Sequence, residues 1–185
     1  MTFSNIITLL RIIVTPVIVF FILYFNYSKN YTYLNFAILL LILAAISDWL
    51  DGYIARVYNQ VTSLGKMLDP LADKIIIQLT LITIIVLYNT DLFIITCIIL
   101  IHLREIIILG LRERMGQLGV SSIVQVSLSG KFKTTLLFLS IILLLLNYQF
   151  SDHFYTLGKY FLLLSLVLSL YSMFIYIFKS IPFLK

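Results

Sequence analysis

Charge is what this sequence has least of. Of its 185 residues only 11% are Asp, Glu, Lys or Arg, against 62% hydrophobic, and the mean hydropathy is +1.09. That shortage does not fit a soluble domain and points to an all-α polytopic membrane protein of one domain's length, residues 1–185. Cysteine is nearly missing. Cys97 stands alone in an apolar run, so it forms no internal disulfide and reads as a packed or lipid-facing thiol. Met1 to Asn5 lack the basic residues that open a signal peptide, and no small-residue cleavage site follows the first apolar run, which therefore reads as a retained span. Nor is there a basic-aromatic stripe of the kind single-strand binders use, so the net charge of +5 fits anionic headgroups and phosphate substrates better than nucleic acid.

What is present is a series of apolar segments, at roughly Ile6–Phe25, Tyr31–Ala55, Leu71–Tyr88, Leu92–Leu111, Lys133–Phe150 and Phe154–Phe178. Some charge-free cores fall short of the ~20 residues of a full span. Thr134–Phe150 has seventeen and Ile75–Tyr88 fourteen. The charges lie at the ends of segments two and four and at the starts of three and five, which share one side if the chain zigzags. Six transmembrane helices around a polar cavity are expected. Arg11, Arg56, Lys66, Lys74, Arg104, Arg112, Arg114, Lys131, Lys133, Lys179 and Lys185 fall on that side, against Lys29 and Lys159 on the other. The positive-inside rule then makes the cavity and both termini cytoplasmic, in the plasma (inner) membrane.

The scarce acids are not scattered. Half of the eight carboxylates, Asp48, Asp51, Asp69 and Asp73, sit between Ser47 and Lys74. An unpaired charge at a bilayer is costly, so something cationic should hold them. On helices, Asp48 and Asp51 project within roughly 60° of each other and Asp69 and Asp73 within roughly 40°. The stretch from Val57 to Asp69, with Gly65 in it, is long enough to turn the chain and bring the pairs face to face. Four carboxylates without a nearby Cys or His pair make an all-oxygen site, suited to Mg²⁺ or Mn²⁺ rather than zinc, and room for two ions would suit phosphoryl chemistry.

The neighbours fit a phosphate ligand. Gly52 and Ala55 remove bulk beside the acids, and Arg56, four residues after Gly52, can reach a pyrophosphate there; small-residue packing with a snorkelling Arg is the alternative. Asp69-Pro70 is expected to start the third helix, with both acids of the second pair in its first turn. Asn5, Thr8 and Arg11 form a polar stripe on the first helix, which Pro16 should kink; Arg11 could equally snorkel and Asn5 cap the helix. Arg104, Arg112, Lys131 and Lys133 could place cations about one bilayer face, or simply mark topology, with Arg104–Glu105 or Arg112–Glu113 pairing locally. His102 reads as a packed or interfacial side chain.

The order D-x2-D-G-x2-A-R-x8-G-x3-D-x3-D, filled at Asp48, Asp51, Gly52, Ala55, Arg56, Gly65, Asp69 and Asp73, resembles the signature of the CDP-alcohol phosphotransferases. N-x2-T-x2-R at Asn5, Thr8 and Arg11 is similar to the first span of that family. The runs REIIILGLRERMGQLGVSS (Arg104–Ser122) and VSLSGKFKTT (Val126–Thr135) resemble its bacterial phosphatidylglycerophosphate synthases. The resemblance touches segments one to five. Segment six carries no motif and reads as packing or lipid contact.

The resemblance implies transfer of a phosphatidyl group from CDP-diacylglycerol to glycerol 3-phosphate, with release of CMP. Asp48, Asp51, Asp69 and Asp73 would bind two divalent ions, Asp73 also serving as base. Asn5, Thr8, Gly52, Ala55, Arg56, Thr62 and Gly65 would line the CDP-diacylglycerol site, although Thr62 and Gly65 taken alone are ordinary turn residues. Arg104, Arg112, Lys131 and Lys133 would hold the glycerol phosphate. The family also implies a homodimer, although no GxxxG is present. Three alternatives compete: another acceptor such as inositol phosphate or serine, a membrane prenyltransferase, and a divalent-ion transporter. Prenyltransferase acid motifs lie far apart in sequence. Transporter sites sit near midmembrane rather than at helix ends.

Overall fold

A computed structural model describes the backbone of residues 3–57, 63–120 and 128–183, and their side chains except at 3–6, 48–57, 63–67, 69 and 128–131. These residues form six α-helices and no strand: α1 (Phe3–Ser28), α2 (Tyr31–Val57), α3 (Ser63–Leu87), α4 (Leu92–Gln117), α5 (Leu128–Asn147) and α6 (Asp152–Ser180), followed by a 3-10 turn at Ile181–Phe183. Each expected apolar segment falls on one helix, with ends shifted by a few residues. A helix is what such sequences must form, since lipid offers no partner for backbone N–H and C=O groups. Apolar stretches long enough to cross a membrane lie at Ile7–Ser28, Pro70–Leu87, Leu92–Gln117 and Asp152–Phe183, with shorter ones at Tyr31–Ser47 and Phe132–Asn147. The chain is a polytopic membrane protein.

The helices gather into two compact units, α1–α3 within Met1–Leu87 and α4–α6 within Tyr88–Lys185. In the first, α1 packs on both α2 and α3; in the second, α6 packs on both α4 and α5. The buried face of α1 is Thr8, Arg11, Thr15, Ile18, Ile22 and Phe25, spaced three or four apart as one side of a helix requires. Leu10, Ile13, Val17 and Phe20, on its other faces, are exposed apolar residues that suit lipid. Buried hydroxyls bond to their own helix, Thr15 to Arg11 O, Thr80 to Ile76 O and Thr83 to Thr80 O, so they need no partner from lipid.

One expectation about proline changes. Helix α3 begins at Ser63, so Asp69-Pro70 lies inside it and neither acid of the second pair is in the first turn. Helix α1 runs through Pro16, which lies inside it. Proline's fixed φ suits a helix, and the one hydrogen bond it removes is tolerated in membrane helices, so it need not mark a start.

The turns follow from local chemistry. Between α1 and α2, Lys29 adopts φ 55 and Asn30 Oδ1 accepts from Thr32 N, capping α2. Asp91 caps α4, accepting from Phe93 N at 2.9 Å and Ile94 N at 3.2 Å, and also receives Lys159 Nζ at 3.1 Å and the Tyr155 hydroxyl. Lys159 in turn lies over the Phe93 ring. At the end of α4, Gly119 (φ 74) lets Val120 N reach back to Met115 O, and Val120 packs against the cluster of Ile108, Met115, Met173 and Tyr176.

Candidate active site

Asp48 and Asp51 stand three apart in α2, and Asp69 and Asp73 four apart in α3, so all four occupy positions in the same unit. Asp73 is the one whose side chain is described. It forms an ion pair with Arg11: Nη1 donates to Asp73 Oδ1 at 2.7 Å, with 3% of the Arg11 side chain exposed and 46% of Asp73. Arg11 therefore does not snorkel. It is drawn inward by its place on the buried stripe of α1, one turn from Thr8, which is wholly buried. The stripe read from the sequence thus faces the protein interior at Thr8 and Arg11. The pairing with Asp73 supplies the cation that an acid at a bilayer demands.

The side chains of Asn5, Asp48, Asp51, Ala55, Arg56, Asp69 and Lys131 lie outside the described residues, as does Thr62; Gly52 and Gly65 are described as backbone within α2 and α3.

In the second unit the structure brings Arg104 and Lys133 together through a residue the sequence reading left out of the site. Glu105 Oε1 accepts from Arg104 Nη1 and from Lys133 Nζ, the latter at 3.0 Å, and Arg112 lies within electrostatic range of Lys133. Arg104, 3% exposed, also donates from Nε to Ser169 O at 3.2 Å and from Nη2 to Ser172 Oγ at 2.7 Å. Ser165 Oγ bonds Lys133 O at 3.0 Å. The expected Arg104–Glu105 pairing is present, but it is part of a network spanning α4, α5 and α6 rather than a local pair.

Of the two readings of segment six, packing holds for the buried face of α6. Ser165, Ser169 and Ser172 recur at spacings of four and three on its buried face and hold the two cations in place. That spacing of small polar residues in an apolar span was the available signal. His102 is half-buried with Nδ1 2.9 Å from Ile98 O, a packed side chain, and Cys97 is buried.

The first unit carries the acids on α2 and α3, and the second holds a buried cluster of cations; each is equipment expected of a membrane enzyme handling phosphate esters. The chain belongs to the CDP-alcohol phosphatidyltransferase family, whose model matches residues 1–171 and so runs across both units. Among its relatives is a protein of Wigglesworthia glossinidia brevipalpis, 42% identical over 140 residues, covering 75% of this chain and 73% of the relative. A protein of Sodalis glossinidius is 36% identical over 173 residues, covering 94% and 91%. One of Rickettsia typhi is 39% identical over 151 residues, covering 82% and 80%. All three are named CDP-diacylglycerol–glycerol-3-phosphate 3-phosphatidyltransferase.

Proposed function

We infer that this protein transfers the phosphatidyl group of CDP-diacylglycerol to glycerol 3-phosphate, giving phosphatidylglycerophosphate and CMP. The observation that carries the reading within its family is the cation network of α4 and α5, centred on Lys133 and Arg104. An acceptor bearing its own phosphate needs such a cluster, whereas serine would not. The names of the relatives favour the same acceptor.

In the proposed reaction a glycerol 3-phosphate hydroxyl attacks the phosphorus that carries diacylglycerol. A new P–O bond forms, the pyrophosphate bridge breaks, and CMP leaves. Asp73 takes the hydroxyl proton, and Arg11 fixes its carboxylate through Oδ1. Asn5, Thr8, Gly52, Ala55, Arg56, Thr62 and Gly65 hold the nucleotide and pyrophosphate. Arg112, Lys131 and Lys133 hold the acceptor's phosphate, with Arg104 adding its charge from the buried side.

The acids fit a hard divalent ion by donor type. Asp48, Asp51, Asp69 and Asp73 offer only oxygen, at i, i+3 and i, i+4 positions of continuous helices. When bound, Mg²⁺ or Mn²⁺, in two ions, would neutralise the pyrophosphate and the leaving CMP. The charge asymmetry of eleven against two supports a cytoplasmic site with both termini on that side of the inner membrane. A homodimer is also part of the proposal.

The test is CMP release by the purified full-length protein in mixed micelles, with CDP-diacylglycerol and a panel of glycerol 3-phosphate, inositol phosphate and serine. Release is expected with glycerol 3-phosphate alone, lost on adding a chelator and restored by Mg²⁺ or Mn²⁺. Release with another acceptor instead would overturn the substrate assignment. Undiminished release under chelator would overturn the metal. Divalent-ion flux in liposomes without CMP release would make the protein a transporter.

A further inference from the structure

One carboxylate sits among the cations, and the proposed reaction does not use it. Glu105 is half-buried, and its Oε1 receives both Arg104 Nη1 and Lys133 Nζ, so one oxygen ties α4 to α5. At first sight this is a handicap. A negative charge beside an anion subsite repels the ligand and competes for the same donors, and removing it should tighten phosphate binding.

The geometry gives the opposite account. Lys133 is a flexible ammonium with three donors on a four-carbon stem, and an unrestrained lysine gives up rotamer freedom whenever it binds. Here Ser165 fixes its backbone carbonyl from α6 at 3.0 Å, and Glu105 fixes its Nζ from α4 at 3.0 Å. Glu105 takes one donor, which leaves two for a ligand. Arg104 cannot drift either, because Ser169 and Ser172 hold its guanidinium. Glu105 also moderates the repulsion of Lys133 by Arg104 and Arg112. Glu105 offsets part of this positive charge while the cations still outnumber it, which leaves the subsite positive for a phosphate monoester.

We propose that Glu105 is a positioning residue that holds Lys133 ready for the acceptor's phosphate. The proposal rests on the reading that the α4–α5 cations take the acceptor.

Its test turns on sign. In steady-state assays of the full-length protein, Glu105→Gln should raise KM for glycerol 3-phosphate about tenfold, with kcat and the KM for CDP-diacylglycerol nearly unchanged. Lys133→Ala should do the same, and the double variant should be no worse than Lys133→Ala alone, since both remove one interaction. An unchanged or lowered KM would overturn the proposal, as would a loss confined to kcat, the mark of a merely structural role. Should Glu105→Gln not fold, Glu105→Asp, which keeps the charge and shortens its reach, supplies the same readout.

Calorimetric titration of glycerol 3-phosphate into the protein without CDP-diacylglycerol separates this inference from the reaction itself. Binding weakened by Glu105→Gln in a protein that releases no CMP would sink the transfer reading and keep the role of Glu105. Normal turnover with an unchanged KM in the variant would do the reverse.

Discussion

Arg11 Nη1 lies 2.7 Å from Asp73 Oδ1, and the two partners are unequally buried, 3% of the arginine side chain being exposed against 46% of the aspartate. The asymmetry separates catalysis from stability. Asp73→Asn should lower turnover by about a hundredfold or more while nucleotide binding largely persists. It should also destabilise the protein by about 1–3 kcal/mol, because a buried guanidinium loses its charged contact with Oδ1; half-exposure of the aspartate keeps this below a fully buried pair. Arg11→Met should cost less stability in the Asp73→Asn background than in the wild type, read as thermal midpoints in detergent, and should not restore activity. If the two costs simply add, the pair is not a structural unit.

The sequence makes this pair only half legible. The spacing of Asn5, Thr8 and Arg11 marks one helix face, and the structure puts Thr8 and Arg11 on the buried one. Which acid Arg11 meets is a tertiary fact, set by α1 packing on α3 across 62 residues of chain. The six helices are readable because lipid leaves the backbone no other solution. The start of α3 is not, since a proline is equally compatible with a first turn and with a helix interior. Glu105 beside Arg104 is visible in sequence, but its bond to Lys133 depends on α4 and α5 both packing on α6, and no local pattern carries that. The four acids are recognisable by spacing, and their roles rest on the family.

Arg104 should prove irreplaceable by lysine for reasons of geometry. Its Nε, Nη1 and Nη2 donate to Ser169 O, Glu105 and Ser172 Oγ, three acceptors on two helices. A lysine ammonium is a single point and cannot span them. Arg104→Lys should cost about 2–3 kcal/mol of stability, and Ser172→Ala about 1 kcal/mol, read as thermal midpoints. A lysine variant as stable as wild type would show that the guanidinium is not a strut between α4 and α6.

Close packing of α5 on α6 depends on Gly158. A Cβ there would lie 2.9 Å from Leu144 Cγ and Cδ2 and 3.2 Å from Leu144 N, and Gly158 O already accepts from Ser140 Oγ at 2.7 Å. The leucine side chain can rotate away, but its backbone nitrogen cannot. Gly158→Ala should therefore destabilise by about 1–3 kcal/mol. Adding Leu144→Ala should recover only part of that loss, so the two substitutions are non-additive. Full recovery would mean that the side chain alone sets the helix separation.

Asp91 gives the second unit a pH dependence whose sign is fixed by its contacts. Burial pushes its carboxyl up, but hydrogen bonds from Tyr155, from Ile94 N–H and from Lys159, together with the charge of Lys159, outweigh that and hold it below the ordinary value of 3.8. A carboxylate depressed on folding contributes stability that is fully present above its unfolded value and is lost as pH falls through the folded one. The window therefore lies below about pH 4. Asp91→Asn should lower stability at neutral pH by about 1–2 kcal/mol, through loss of the charge-assisted cap on α4 and of the Lys159 pair. The gap in thermal midpoint between wild type and variant should narrow as the pH is taken from 6 towards 3, over roughly the range where the carboxylate protonates. A gap that stays constant to the acid end would mean that the cap is held by shape and hydrogen bonding, with no contribution from the charge of Asp91.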